Sequence, residues 1–152
     1  AEACCESGKD KMKDLKLENA SFLDFHYCQG AIDVSLDEIR KHEETEDISR
    51  PWLIVDFDNN AKEMKLVGVE DIARTKNFLN KIGHSNVKGL LEPAKHSSNR
   101  LKKELDRIEA HQSDSSREQM DEDWKYINGL DAEYRRKLIY DMVLTFDIWF
   151  AE

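Results

Sequence analysis

The stretch DAEYRRKLIYDMVLTFDIWF, residues 131–150, is the most apolar part of the chain and decides the fold. Asp131 suits the N-cap of a helix, and the apolar residues that follow recur at the spacing of one helix face. This face comprises Leu138, Ile139, Met142, Val143, Phe146, Trp149 and Phe150. A helix of this kind must dock on another element, because burial of its apolar face supplies most of its stability. Residues 144–150 also alternate with period two, so a strand there stays an alternative.

Two segments in the first half of the chain predict a small antiparallel sheet, because their apolar residues alternate with period two. Residues 15–28 predict a hairpin that turns near residues 19–20. Residues 52–69 contain two runs rich in apolar and β-branched residues, and these runs flank an asparagine pair at residues 59–60. Asparagine favours turns, so this segment predicts a second hairpin.

Helical periodicity dominates the second half of the chain. One helix is predicted from Asp71 to a stop at Gly83, and another starts near Ser98. A third is predicted behind a capping box at residues 116–119. A capping box that begins at Ser35 predicts a further helix in the first half.

These patterns predict one α+β domain over residues 13–152, preceded by a flexible N-terminus at residues 1–12. Its small antiparallel sheet comes from the two N-terminal hairpins and packs against the C-terminal helices. A chain of 152 residues has the length of one domain. Only six glycines and two prolines are present, which disfavours an all-β fold with many tight turns.

The charge balance limits the classes of partner. Lys and Arg number 23 against 32 Asp and Glu, a net charge of −9, which argues against nucleic acid and against a membrane surface as partners. A charged partner is therefore expected to be a basic protein. Three cysteines are too few for a disulfide framework, and no signal peptide is visible, so we expect a cytoplasmic protein. A processed, secreted form stays an alternative.

Two groups of acidic residues are the candidate partner-binding sites. In residues 33–47, seven carboxylates face only two basic residues. A second group flanks a tryptophan, a residue type enriched at interface centres. The candidates are Asp33, Asp37, Glu38, Glu43, Glu44, Glu46, Asp47, Glu118, Asp121, Glu122, Asp123 and Trp124. They predict a non-enzymatic acidic module, an inhibitor or immunity-type protein, that neutralises a basic partner. An alternative is an assembly protein that forms a homodimer through its C-terminal helix.

A small metal-dependent hydrolase is the alternative from another class. Asp56 and Asp58 stand at i and i+2 beyond an apolar run, where both carboxylates face one side and suit a divalent cation. The pattern resembles the Asp-x-Asp of haloacid-dehalogenase-type phosphatases. Asn60 replaces the expected Thr or Val, however, and a strand rather than a loop is predicted to follow. We therefore expect no catalytic residue, metal or cofactor, and keep the two aspartates as candidate ligands.

His26 and Cys28 resemble one half of a zinc site. His26 and Cys28 would share one face of a strand, and zinc prefers such imidazole and thiolate ligands. A complete site needs two more ligands from Cys4, Cys5 or His42. An ordinary strand histidine and cysteine is the simpler interpretation.

Overall fold

The computed structural model describes four parts of the chain, residues 2–26, 48–61, 64 and 66–149. Contacts divide the chain into two compact units, residues 1–69 and 70–152. The elements are α1 (Glu2–Asp14), β1 (Ala20–Leu23), β2 (Trp52–Asp56), α2 (Val69–Ile82), α3 (His84–Gly89), α4 (Leu91–His96), α5 (Ser98–Ala110), α6 (Asp114–Gly129), α7 (Ala132–Leu144) and α8 (Phe146–Trp149). The predicted α+β class, with a small antiparallel sheet, is confirmed.

Helix α1 ends where the first strand of a hairpin was predicted. Lys16 has a φ of 54°, in the left-handed region. The backbone N–H groups of Lys16 and Leu17 donate to the carbonyl oxygens of Lys13 and Met12, each at 3.0 Å. This pair of bonds is a Schellman motif, which satisfies carbonyl groups that a helix end leaves unpaired. The predicted strand at residues 15–18 is wrong, because its alternating leucines belong to a helix terminus.

The two described strands pair with each other across a long connection. Strand β1 runs antiparallel to β2, with Ala20 opposite Asp56 and Leu23 opposite Trp52. The predicted first hairpin is therefore wrong in its pairing as well as in its first strand. Strand pairing between distant segments depends on tertiary contacts, which local alternation does not encode.

The second hairpin is also wrong, although its first strand is confirmed as β2. The backbone N–H of Leu53 donates to the carbonyl of Val67 at 2.7 Å, and Leu53 forms a parallel bridge with Gly68. A hairpin would have returned the chain antiparallel to β2. The turn after β2 is held instead by the Asp56 carboxylate, which accepts from the backbone N–H of Ala61 at 2.9 Å.

The core of the first unit is built around Trp52. Its side chain is fully buried, and its ring meets that of Phe25 edge-on at 5.0 Å between centroids. The indole N–H donates to the hydroxyl of Ser49 at 2.9 Å, so burial leaves no unsatisfied donor on the ring. Helix α1 approaches β1 closely at Gly8, where an added Cβ would lie 3.4 Å from the Cβ of Phe22.

In the second unit, the C-terminal apolar stretch forms α7 and then α8. The predicted N-cap is confirmed, because the Asp131 carboxylate accepts from the backbone N–H of Tyr134 at 3.3 Å. Helix α7 packs against α4 and α5 and buries Leu138, Ile139 and Met142 completely. The predicted continuous helix is divided at Thr145, whose hydroxyl donates to the carbonyl oxygen of residue 141 at 2.7 Å.

Helices α5 and α6 each begin at a serine cap. Ser97 caps α5, where its hydroxyl accepts from the backbone N–H of Arg100 at 3.1 Å, as the predicted start near Ser98 required. Helix α6 begins earlier than predicted, since Ser113 is the N-cap and accepts from the backbone N–H of Ser116 at 3.3 Å. The capping box predicted at residues 116–119 is therefore wrong. Helices α3 and α4 have no counterpart in the sequence predictions.

Helix α1 covers most of the predicted flexible N-terminus, residues 1–12, and gives it a regular backbone. The interpretation of residues 13–152 as a single domain stays a prediction, as does the mobility of the first residues. Among the described helices, none combines the length and the apolar character needed to cross a bilayer.

Candidate partner-binding surface

The first predicted acidic group lies outside the described residues. Its members are Asp33, Asp37, Glu38, Glu43, Glu44, Glu46 and Asp47, and the helix predicted from Ser35 lies outside as well. This group therefore stays a prediction. The second group lies on α6, where the structure describes each member.

Asp123 belongs to the interior of the second unit rather than to its surface. Its side chain is only 6% exposed, and the carboxylate accepts from the Lys81 ammonium at 2.7 Å. The Arg74 guanidinium approaches the other carboxylate oxygen to 3.6 Å. These contacts join α6 to α2, so Asp123 is engaged within the protein and is not available to a partner.

The other three acids of this group are solvent-exposed. Asp121 forms an ion pair with Lys125 one turn along α6, at 2.5 Å, and this pair raises the pKa of Lys125. Glu122 lies 4.0 Å from Arg74 and is 91% exposed. In the part of the chain that the structure describes, Glu118 makes no ion pair. Glu118 is therefore exposed and is not neutralised by any cation of the described residues.

Trp124 is half-buried and lines a surface cleft. Its ring contacts Phe78 of α2 at 5.0 Å between centroids, which fixes the indole on one side. The cleft has a volume of about 350 Å³ and lies where the end of α5 meets the first turns of α6. It is lined by Glu109, Gln112, Arg117, Glu118, Met120, Asp121 and Trp124.

Arg117 closes one wall of this cleft and links the two helices. Its guanidinium donates to the carbonyl oxygens of Glu109 at 3.2 Å and Ala110 at 3.1 Å. These carbonyls belong to the last turn of α5, where a helix lacks i+4 donors, and that of Glu109 also accepts from the backbone N–H of Gln112 at 3.1 Å. The positive charge of Arg117 is thus held by the helix terminus, while the carboxylates of the cleft face solvent.

A second polar cluster joins α2, α6 and α7. The Asp71 carboxylate accepts hydrogen bonds from the hydroxyls of Tyr126 at 2.5 Å and Tyr134 at 2.7 Å. Burial and, secondly, the hydrogen bond to Asp71 raise the pKa of both phenols, because a phenolate would lose hydration and be repelled by the carboxylate. No local pattern in the sequence indicates this cluster, since Tyr126 and Tyr134 lie 55 and 63 residues from Asp71.

The two aspartates of the hydrolase alternative each have a partner in the protein. Asp56 caps the turn at Ala61, as described above, and Asp58 accepts from the side-chain amide of Asn19 at 2.7 Å. Within residues 2–26, 48–61, 64 and 66–149, no group of three or more His, Cys, Asp or Glu side chains is arranged to hold a metal ion. The described geometry is that of a hydrogen-bonded turn.

The half zinc site is described only in part. Cys4 and Cys5 are free thiols, and both line a groove of about 700 Å³ together with His26. Cys28 and His42 lie outside the described residues. Among the described residues, Cys4, Cys5 and His26 do not form a group of three that could hold a metal ion.

The C-terminal apolar face is used inside the second unit. Its central residues are buried against α4 and α5, which accounts for the docking that the sequence required. Ile148 in α8 remains 57% exposed. The homodimer alternative stays a prediction.

Comparison with known proteins gives no relative to extend these observations. No protein-family model, curated protein or solved structure matches this chain.

Proposed function

We propose that this protein is a non-enzymatic acidic module that binds and neutralises a basic protein, in the manner of an inhibitor or immunity-type protein. The observation that carries this proposal is the cleft on α6, where the Trp124 indole shares the lining with the carboxylates of Glu118 and Asp121. A tryptophan held in place beside acids matches the composition of an interface centre that receives a cationic side chain.

The net charge of −9 supports the same proposal at longer range. An acidic surface accelerates encounter with a basic partner and disfavours acidic competitors. Two regions contribute to binding, the predicted acidic run at residues 33–47 and the cleft on α6. Asp123 contributes indirectly, because its ion pairs hold α6 against α2 and so position the cleft.

The test is the affinity for a basic protein, measured by fluorescence anisotropy with labelled cytochrome c at low and high ionic strength. Binding is expected to weaken as ionic strength rises, because exposed charges are screened. The variant Glu118→Gln is compared with Glu18→Gln, an exposed glutamate of the first unit. Both variants remove one charge, so long-range steering falls equally in both.

Because the partner is proposed to contact the cleft directly, Glu118→Gln should weaken binding more than Glu18→Gln does. An affinity that is insensitive to ionic strength would contradict the proposed electrostatic recognition. Equal effects of the two variants would show that binding follows net charge alone and does not use the cleft.

A further inference from the structure

The cleft on α6 is small and carries one aromatic wall. Its volume of about 350 Å³ lies at the lower end of the range for ligand pockets, roughly 300 to 1,000 Å³. A space of this size suits one long side chain of a partner better than a drug-sized cofactor. Its lining combines the Trp124 indole with three carboxylates and only one guanidinium.

We propose that this cleft receives an arginine side chain of the basic partner, with its guanidinium stacked on Trp124 and hydrogen-bonded to Glu118. This inference rests on the proposed function and names the residue type that the cleft recognises. Arginine suits it because a guanidinium is planar, stacks on aromatic faces and donates two parallel hydrogen bonds to a carboxylate. A lysine ammonium is a compact and strongly hydrated charge that offers neither geometry.

The cationic side chains around the cleft leave the Glu118 carboxylate open to an external cation. The Arg117 guanidinium donates to the carbonyl oxygens of Glu109 and Ala110 and forms no ion pair with the Glu118 carboxylate. Lys125 pairs with Asp121. Charge complementarity therefore favours a cation in the cleft.

The indole is also pre-organised to receive such a cation. Phe78 contacts the Trp124 ring at 5.0 Å with an angle of 55° between the planes. Helix α6 is joined to α2 beside this contact through Asp123 and Lys81 at 2.7 Å. A ring that is already fixed loses little conformational entropy when a ligand stacks on it, which favours binding.

The experiment titrates the protein with oligoarginine and oligolysine peptides of equal length, and NMR follows the indole N–H resonances. The Trp124 signal is assigned by its loss in Trp124→Phe, and the buried Trp52 supplies a control signal. Oligoarginine is expected to bind about two- to fivefold more tightly than oligolysine, because only the guanidinium combines planar stacking on the indole with two parallel hydrogen bonds to the carboxylate. The Trp124 signal should shift on binding while that of Trp52 stays constant.

The exposed position of Glu118 makes Glu118→Gln a variant that retains the fold. It should reduce the preference for arginine, whereas the control Glu18→Gln should retain it. Equal affinities for the two peptides, with a shift of Trp124, would overturn the arginine preference and leave the proposed function intact. Binding of both peptides without any response of Trp124 would also overturn it. A protein that binds no basic ligand at either ionic strength would overturn the proposed function itself.

Discussion

Two aspartates that are two residues apart on α6 should differ sharply in their contribution to stability. Asp123 is 6% exposed and pairs with Lys81 and Arg74, whose side chains are 41% and 38% exposed. The substitution Asp123→Asn keeps the size of the side chain and removes its charge. Loss of a hydrogen bond to a charged group costs about 1.5 to 3 kcal/mol. Because water can still hydrate both cations, we expect about 2 kcal/mol rather than the 3 to 5 kcal/mol of a fully buried pair.

The matched control is Asp121→Asn, which removes an ion pair between two exposed side chains. Such pairs contribute less than about 1 kcal/mol. Urea denaturation gives the free energy of unfolding for both variants, and thermal unfolding should show a decrease in Tm of about 4 to 8 °C for Asp123→Asn, if unfolding is two-state. If both substitutions lower the free energy of unfolding equally, the conclusion that the ion pairs of Asp123 hold α6 against α2 is refuted.

Three further predictions concern the second unit. Asp71→Asn should lower the free energy of unfolding by about 1 to 3 kcal/mol in urea, because two phenols lose a charged acceptor, and an unchanged value would contradict the described cluster. Burial and Asp71 raise the pKa of Tyr126 and Tyr134 in the folded state. Their contribution to the free energy of unfolding should therefore be fully present below about pH 10, where phenols of the unfolded chain begin to ionise. Above that pH the free energy of unfolding should fall, which alkaline denaturation measures. Leu138→Ala should cost about 2 to 5 kcal/mol, against less than about 0.5 kcal/mol for Ile148→Ala, and equal costs would show that α7 does not carry the core.

The sequence predicts those elements whose signals are local. Asp131 caps α7 as expected because an N-cap needs only the backbone N–H groups of the next turn. Gly129 ends α6, and the strand that begins at Trp52 forms as predicted. The apolar stretch at residues 131–150 docks because no isolated helix can bury such a face.

The predictions fail where one local sequence pattern is compatible with two different structures. Leucines 15 and 17 alternate, but the left-handed Lys16 between them marks a helix terminus. The partner of β2 is β1, with Ala20 opposite Asp56 and Leu23 opposite Trp52, rather than a strand across the nearest turn. The capping-box pattern at residues 116–119 favours Ser116 as the cap of α6, but Ser113, which has no Glu or Gln three residues later, is the N-cap.

The candidate site is only partly predictable for the same reason. The sequence indicates Trp124 and its acidic neighbours, but nothing in it distinguishes Asp123 from Glu118. Their opposite environments depend on Lys81, 42 residues from Asp123, and on the orientation of α6 against α2. Likewise, the cleft depends on Arg117 contacting the end of α5, a contact that no spacing rule specifies.

Amide hydrogen exchange of the protein, measured with and without bound cytochrome c, is the most direct test of recognition through acidic surfaces. The proposal predicts slower exchange in residues 109–124, which surround the cleft, and in residues 33–47. Protection confined to α1 or α7, with exchange unchanged in both of these regions, would contradict it.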